Sequence, residues 1–144
     1  MPDQDISDYL AYLLASAHRR MHLGLAQSVA TEGVSEEQWR ILQVLSDERG
    51  RSMGELAAQV LMNHPALTKS IDRLVGRKLV QRAADAMDSR KVRVYVSDLG
   101  LEMVGRLKKS VDAHHGAVEG AMGPRKVEQL KRLLKNFIQE SAAV

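Results

Sequence analysis

The sequence predicts a mainly α-helical fold that carries one small β-hairpin. Three features point to it. Apolar residues recur three and four positions apart over most of the 144 residues, the spacing of helices with one buried face. One stretch departs from that spacing: Val92, Val94 and Val96 alternate with Lys91, Arg93 and Tyr95, the period of two that marks a strand. Helix-start signals stand at Ser35 with Gln38, at Ser52 with Glu55, and at Asn63 ahead of Pro65, so short helices lie between longer ones.

A chain of this length suffices for one domain with a real core and is short for two. Hydrophobic residues make up 44% and charged residues 27%, a soluble globular composition rather than a disordered one. There is no cysteine, which excludes disulfides, zinc–thiolate sites and thiol redox chemistry. No apolar run approaches the roughly 18 residues of a membrane span and no signal-peptide pattern opens the chain, so a cytoplasmic protein is expected. The net charge of +3 is unevenly spread. Residues 1–50 hold four Lys/Arg against eight Asp/Glu, whereas residues 62–96 hold eight Lys/Arg against three Asp. A positive segment set against a negative one suits a polyanionic partner.

Taken in order, residues 1–4 are expected to fray. From Ile6 to about Ala30, Ile6, Tyr9, Leu10, Leu13, Leu14, Ala17, Met21 and Leu25 make a helical stripe, with Tyr12 and Leu23 beside it. That is more apolar surface than one small lobe can cover, which suggests burial against a second subunit. Gly33 suits a left-handed turn after this helix. A second helix runs from Glu36 to about Asp47, with Trp39, Ile41, Leu42 and Leu45 as its core face. A short third helix follows Ser52, with Leu56, Ala57, Val60 and Leu61 as its stripe. Asn63 opens a fourth, which buries Leu67, Ile71, Leu74 and Val75.

The opposite face of the fourth helix carries Pro65, Thr68, Lys69, Asp72 and Gly76, with Arg73 beside them. Small and polar groups at a helix N-terminus followed by cations suit presentation to a DNA major groove. The same face also suits an ordinary amphipathic helix with a solvated side. The hairpin that follows shifts the balance. Leu79–Ala84 can pair with the valine-rich strand, and the turn between them holds Asp85, Asp88, Arg90 and Lys91. A basic-tipped hairpin directly after a helix-turn-helix is the layout of a winged helix, whose wing can place arginine in the minor groove. After it, Ser97 is positioned to cap a helix running to about Ala121. Leu101, Val104, Leu107 and Val111 form its stripe, with Met103 and Val118 at the flank. Met122-Gly123-Pro124 breaks that helix. A last one, from about Arg125 to Glu140, carries Val127, Leu130, Leu133, Leu134, Phe137 and Ile138.

The segment from Trp39 to Gly100 resembles the MarR family of bacterial winged-helix transcription regulators. The matching pieces are QWRIL at 38–42, SMGELA at 52–57, ALTKSIDRL at 66–74, LVQR at 79–82, D-S-R at 88–90 and V-x-V-S-x-x-G at 94–100. The family usually has glycine just before the LV-x-R strand, where this chain has Lys78. A left-handed Lys78 would cost on the order of 1 kcal/mol relative to glycine unless Gly76 ends the helix instead. The resemblance implies a winged helix-turn-helix lobe at 35–97, flanked by dimerisation helices at 5–31 and 98–142. It implies a homodimer on a double-stranded, pseudo-palindromic operator, acting as a repressor released by a small organic effector. The DNA-contact candidates are Ser52, His64, Pro65, Ala66, Thr68, Lys69 and Arg73, with Asp88, Arg90 and Lys91 in the wing. Arg90 is assigned to the minor groove and Asp88 to holding it. In the family many effectors are aromatic carboxylates, phenols or thioesters bound between the dimer helices and the DNA lobe. The candidates there are His18, Arg19, His22, Trp39 and Met103. Arg19 could pair with a carboxylate and Trp39 stack on a ring. Equally, Trp39 could be plain core and Arg19 plain surface.

Other chemistry is poorly served. His18 and His22 stand i, i+4, a workable spacing for two metal ligands, whereas His114 and His115 point about 100° apart on a helix. A metal-responsive regulator is therefore an alternative, and a winged-helix module for protein–protein assembly is another. There is no phosphate-binding glycine loop, nucleophile elbow or credible carboxylate pair, so no catalytic residue and no cofactor is expected.

Overall fold

The structure is a computed structural model and describes residues 3–142. Met1 and Pro2, half of the segment expected to fray, lie outside the described residues. In chain order the elements are α1 (Leu10–Ala30), α2 (Glu36–Leu45), β1 (Arg51–Ser52), α3 (Met53–Val60), α4 (His64–Gly76), β2 (Val80–Ala84), β3 (Val92–Val96), α5 (Asp98–Met122) and α6 (Pro124–Ser141). They divide into two compact units, Met1–Val111 and Asp112–Val144, with the division inside α5.

The first helix begins later than its apolar stripe suggests. Asp5 accepts a hydrogen bond from Ser7 N and opens a separate 3-10 turn at Ile6–Asp8; Tyr9 is extended, and α1 starts only at Leu10. The next helix starts are those the capping signals mark. Ser35 Oγ accepts from Gln38 N and Gln38 Oε1 from Ser35 N, both at 3.1 Å. Ser52 and Glu55 make the same reciprocal pair at the head of α3. Asn63 Oδ1 accepts from Ala66 N at 2.9 Å and opens α4. Each such cap is worth about 1 kcal/mol.

Ile41, Leu42 and Leu45 of α2, Leu56 and Val60 of α3, Leu67, Ile71 and Leu74 of α4, Val94 of β3 and Leu107 of α5 are fully buried in one cluster. A leucine or isoleucine buried this way contributes about 2 kcal/mol. Several residues depart from the expected stripes. Leu61 is not part of the core: it takes a left-handed conformation (φ 60°) to end α3, which turns its side chain out to 81% exposure. Met103, expected at the flank of α5, is buried, while Leu101 and Val104 are only partly covered. Trp39 is half-buried against the cluster rather than inside it.

The sheet is antiparallel with order β1-β3-β2. Val80 faces Val96, Arg82 faces Val94 and Ala84 faces Val92, while Arg51 and Ser52 of β1 pair with Val94 and Arg93. The first strand of the hairpin begins at Val80 rather than Leu79. Val94 and Val96 are buried, but Val92 is exposed, because the hairpin runs out beyond the core there.

The α4–β2 turn is the tightest joint of the fold. Lys78 adopts φ 61°, and Gly76, although the last residue of α4, does not take the left-handed position in its place. Lys78 N donates to Val75 O and Leu79 N to Leu74 O, which closes the helix end. Lys78→Gly should therefore raise stability by about 1 kcal/mol; a denaturation midpoint at or below that of the unaltered protein would contradict this. The same turn receives the start of α5. Ser97 N donates to Leu79 O at 3.0 Å, and Ser97 Oγ donates to Lys78 O at 2.6 Å while accepting from Gly100 N. Gly100 is buried so closely here that a Cβ would lie 2.1 Å from Leu79 O and 2.6 Å from Val96 Cγ2.

In the second unit Gly123 (φ 92°) separates the end of α5 from α6. Val127 is buried, whereas Leu130, Leu133, Phe137 and Ile138 are exposed along α6. Lys131 Nζ bridges to Glu119 at 2.9 Å.

Candidate nucleic-acid interface

The N-terminal turn of α4 is held out from the core by its cap. His64, Pro65, Thr68, Lys69 and Arg73 are exposed and Ala66 is partly so, while Leu67, Ile71 and Leu74 anchor the other side. Pro65 sits where a helical N–H would lack a partner anyway. Thr68 Oγ1 donates back to His64 O at 2.9 Å, so its one hydroxyl hydrogen is used within the helix and its oxygen is left as an acceptor. Ser52, the cap of the preceding helix α3, accepts from Glu55 N through its hydroxyl and keeps its hydrogen to give.

The wing is organised by two aspartates. Asp88 Oδ1 accepts from Arg90 N at 3.0 Å and from Arg90 Nε at 3.2 Å. The arginine side chain is nonetheless 89% exposed: its root is clamped and its head stands in solvent. The second organiser is Asp85. Its Oδ1 accepts from Met87 N (2.7 Å) and Asp88 N (3.2 Å), and its Oδ2 from Arg93 Nη1 (3.3 Å). The Met87 N–H above all, then the Asp88 N–H and the Arg93 guanidinium, hold its carboxyl below the usual carboxylate range. The order it gives the turn is present above the ordinary carboxylate pKa and is lost as pH falls through the lowered value. Its signal in the sequence was an aspartate two and three residues ahead of amides that need an acceptor in a tight turn.

The eight cations of residues 62–96 are not equivalent. Arg93 is drawn back onto the sheet by Asp85, Glu55 and the Gly50 carbonyl, and is not on the wing's outer surface. Arg82 pairs with Asp72 on α4. Arg77 turns away to the α1–α2 turn, donating to Glu32 O and Gly33 O. Lys69, Arg73, Lys78, Arg90 and Lys91 are exposed cations of the segment that make none of these contacts.

The effector candidates are only partly brought together. The rings of His18 and His22 on α1 lie 5.7 Å apart, and His22 reaches Glu36 (3.4 Å) and Glu37 (3.9 Å) at the start of α2. Arg19 is exposed, Trp39 half-buried and Met103 buried in the core. Ligand atoms of His22, Glu36 and Glu37 lie within 4.8 Å of one another, close enough to share an ion. Glu36, however, already holds the Arg40 guanidinium with both oxygens at 2.6 Å, and Arg40 also donates to Val60 O. A metal would have to displace or sit against that fixed cation, so the metal-responsive alternative is not favoured.

An exposed helix N-terminus flanked by a hairpin that clamps an outward arginine is the layout of a winged helix-turn-helix, a fold suited to presenting both to DNA. Residues 32–91 match the MarR family model. It is 27% identical over 130 residues to the HTH-type transcriptional regulator FarR of Neisseria gonorrhoeae, covering 83% of this chain and 89% of that one. It is 26% identical over 110 residues to the homoprotocatechuate degradative operon repressor of Escherichia coli, covering 76% and 74%. Among solved structures, the transcriptional repressor CouR bound to a 23-mer DNA duplex matches with a TM-score of 0.85 at 25% identity, over 95% of this chain and 97% of that one. NadR in complex with 4-hydroxyphenylacetate matches with a TM-score of 0.79 at 26% identity, over 95% and 97%. The named relatives are regulators and repressors, not enzymes.

Proposed function

We propose that the protein is a homodimeric repressor that reads a pseudo-palindromic operator and is released by a small aromatic acid or phenolic effector. It would act beside its DNA, in the cytoplasm. The single observation that carries the reading is the pairing of α4's exposed N-terminal turn with Arg90 held outward by Asp88. One would enter a major groove and the other the adjacent minor groove. Ser52, His64, Pro65, Ala66, Thr68, Lys69 and Arg73 are the contacts assigned to the helical part, and Asp88, Arg90 and Lys91 those of the wing. Dimerisation is supported by the apolar side chains left exposed near the N-terminus (Ile6, Tyr9, Leu10, Leu13) and along α6 (Leu130, Leu133, Phe137, Ile138). Apolar side chains exposed in such number on one element mark an interaction site. The effector class is supported by two relatives, a homoprotocatechuate operon repressor and NadR with 4-hydroxyphenylacetate. His18, Arg19, His22, Trp39 and Met103 remain the residues assigned to it. No helix of the described residues is long and apolar enough to cross a membrane.

The test uses a duplex that the protein itself enriches from a random-sequence pool, with sedimentation on the same sample. Two subunits per duplex are expected, from a dimer burying at least about 2,000 Å². Thr68→Ala should weaken binding to the enriched duplex by roughly 1 kcal/mol or more per subunit, and binding to random DNA by less. Equal losses on both duplexes would make Thr68 a helix or backbone residue. A monomer at micromolar concentration would remove the dimer.

A further inference from the structure

Arg77 belongs by sequence to the basic DNA-reading segment, yet the fold uses it for something else. It is the residue immediately after α4, with φ −88° and ψ 1°. From there its guanidinium crosses to the turn between α1 and α2, where Nη1 donates to Gly33 O at 2.7 Å and Nη2 to Glu32 O at 3.1 Å. These carbonyls lie just past the end of α1, whose last N–H···O bonds run from Glu32 N to Val29 O and from Gly33 N to Ala30 O. The guanidinium thus sits at the negative ends of two helix dipoles, its own α4 and the distant α1, where a cation is stabilised. Gly33 is left-handed (φ 67°), and the guanidinium packs over it: a Cβ built there would lie 3.6 Å from Nη1. The same turn is gripped a second time, by Arg106 of α5, whose Nε donates to Glu32 Oε2 at 3.3 Å.

A planar guanidinium can hold two successive carbonyls at once, and a lysine ammonium on its flexible stem cannot match that fork. Two simultaneous bonds fix direction as well as distance. The C-terminal end of the reading helix is therefore tied to the end of the helix that carries His18, Arg19 and His22. The groups that would serve a phosphate are the ones spent on the tie.

We infer that Arg77 is a positioning residue: it sets the angle of α4 against the α1–α2 turn, so that specific DNA binding depends on it although it touches no DNA. This rests on α4 being the reading helix. A phosphate contact and a positioning contact differ in one measurable respect. Losing a phosphate contact releases fewer counterions and flattens the salt dependence of binding, whereas losing a positioning contact lowers specific affinity and leaves that slope alone.

The experiment compares the unaltered protein with Arg77→Ala, Arg77→Lys and Lys91→Ala on the enriched duplex and on random DNA, over a range of salt concentrations. Thermal melting establishes the folded fraction of each. Arg77→Ala is expected to lose on the order of tenfold in affinity for the enriched duplex, little on random DNA, and nothing in salt slope. Arg77→Lys, with the charge kept and the fork lost, should show the larger part of that loss; it also serves if the alanine variant does not fold. Lys91→Ala should lower the slope by about one per subunit on both duplexes. A reduced slope for Arg77→Ala, or full recovery in Arg77→Lys, would overturn the inference in favour of a phosphate contact. A lowered melting temperature with unchanged affinity of the folded protein would overturn it in favour of simple stabilisation. Failure of the underlying reading is separately visible, since the unaltered protein would then prefer no duplex over another.

Discussion

Gly100→Ala is expected to cost about 3 kcal/mol of stability, a large share of what holds a domain of this size together. The added methyl would meet Leu79 O at 2.1 Å and Val96 Cγ2 at 2.6 Å. The first obstacle is backbone, and that backbone is fixed by the Ser97 N–H donating to the same carbonyl. Nothing at the joint is a flexible side-chain end that could swing away. Either α5 lifts from the α4–β2 turn or Lys78 leaves its left-handed conformation. Gly105→Ala is the matched control, because a Cβ at that position meets nothing within 4 Å. It should stabilise α5 by up to about 1 kcal/mol through helix propensity. Urea denaturation of both variants decides the matter, and a Gly100→Ala midpoint equal to that of the unaltered protein would refute the account of the joint.

The second large effect is expected at the wing. Arg90→Ala should weaken operator binding by about 1–2 kcal/mol per subunit and flatten the salt dependence by about one counterion per subunit. Asp88→Ala separates two physical pictures. Removing a negative charge near DNA favours binding on electrostatic grounds alone. Asp88 also holds Arg90 through its N–H and its Nε, so its removal lets the arginine sample many rotamers before docking. The geometry leads us to expect weaker binding by Asp88→Ala, with the salt slope retained because Arg90 is still present. Arg90→Ala should melt like the unaltered protein, since its side chain is 89% exposed; Asp88→Ala, at a half-buried position, should lose only the local order of the turn. Tighter binding by Asp88→Ala together with unaltered binding by Arg90→Ala would remove the wing from the reading surface.

The parts of this fold legible in the sequence are those whose interactions close over short chain distances. The caps at Ser35, Ser52 and Asn63 each bond within three residues, and the valine alternation of β3 is local by construction. The Asp88–Arg90 clamp is also local and was readable. What stayed hidden joins distant segments. Arg77 bonds residues 44 and 45 positions away, and Arg93 a carbonyl 43 positions away. In the sequence both read simply as positive charge. The start of α1 is not legible because Asp5 caps a 3-10 turn, while the apolar residues on either side keep helical spacing. Leu61 reads as core in the sequence because the left-handed residue that ends α3 is a leucine, with no glycine to announce it. The assigned effector residues span helices α1, α2 and α5, and their spacing along the chain says little about a shared cavity.

The sheet order β1-β3-β2 bears on the company this molecule keeps with unrelated chains. VRVYV is the segment with the highest β-propensity, and as a free edge it would invite a stray strand to add on. It lies instead in the middle of the sheet. One flank is taken by β1, only two residues long and a poor template for extension. The other is β2, whose outer residues include Arg82, a charge engaged with Asp72. The protruding hairpin can therefore stand in solution without seeding aggregates. Two residues before α3, too few to be recognised as a strand from sequence, supply half of that protection.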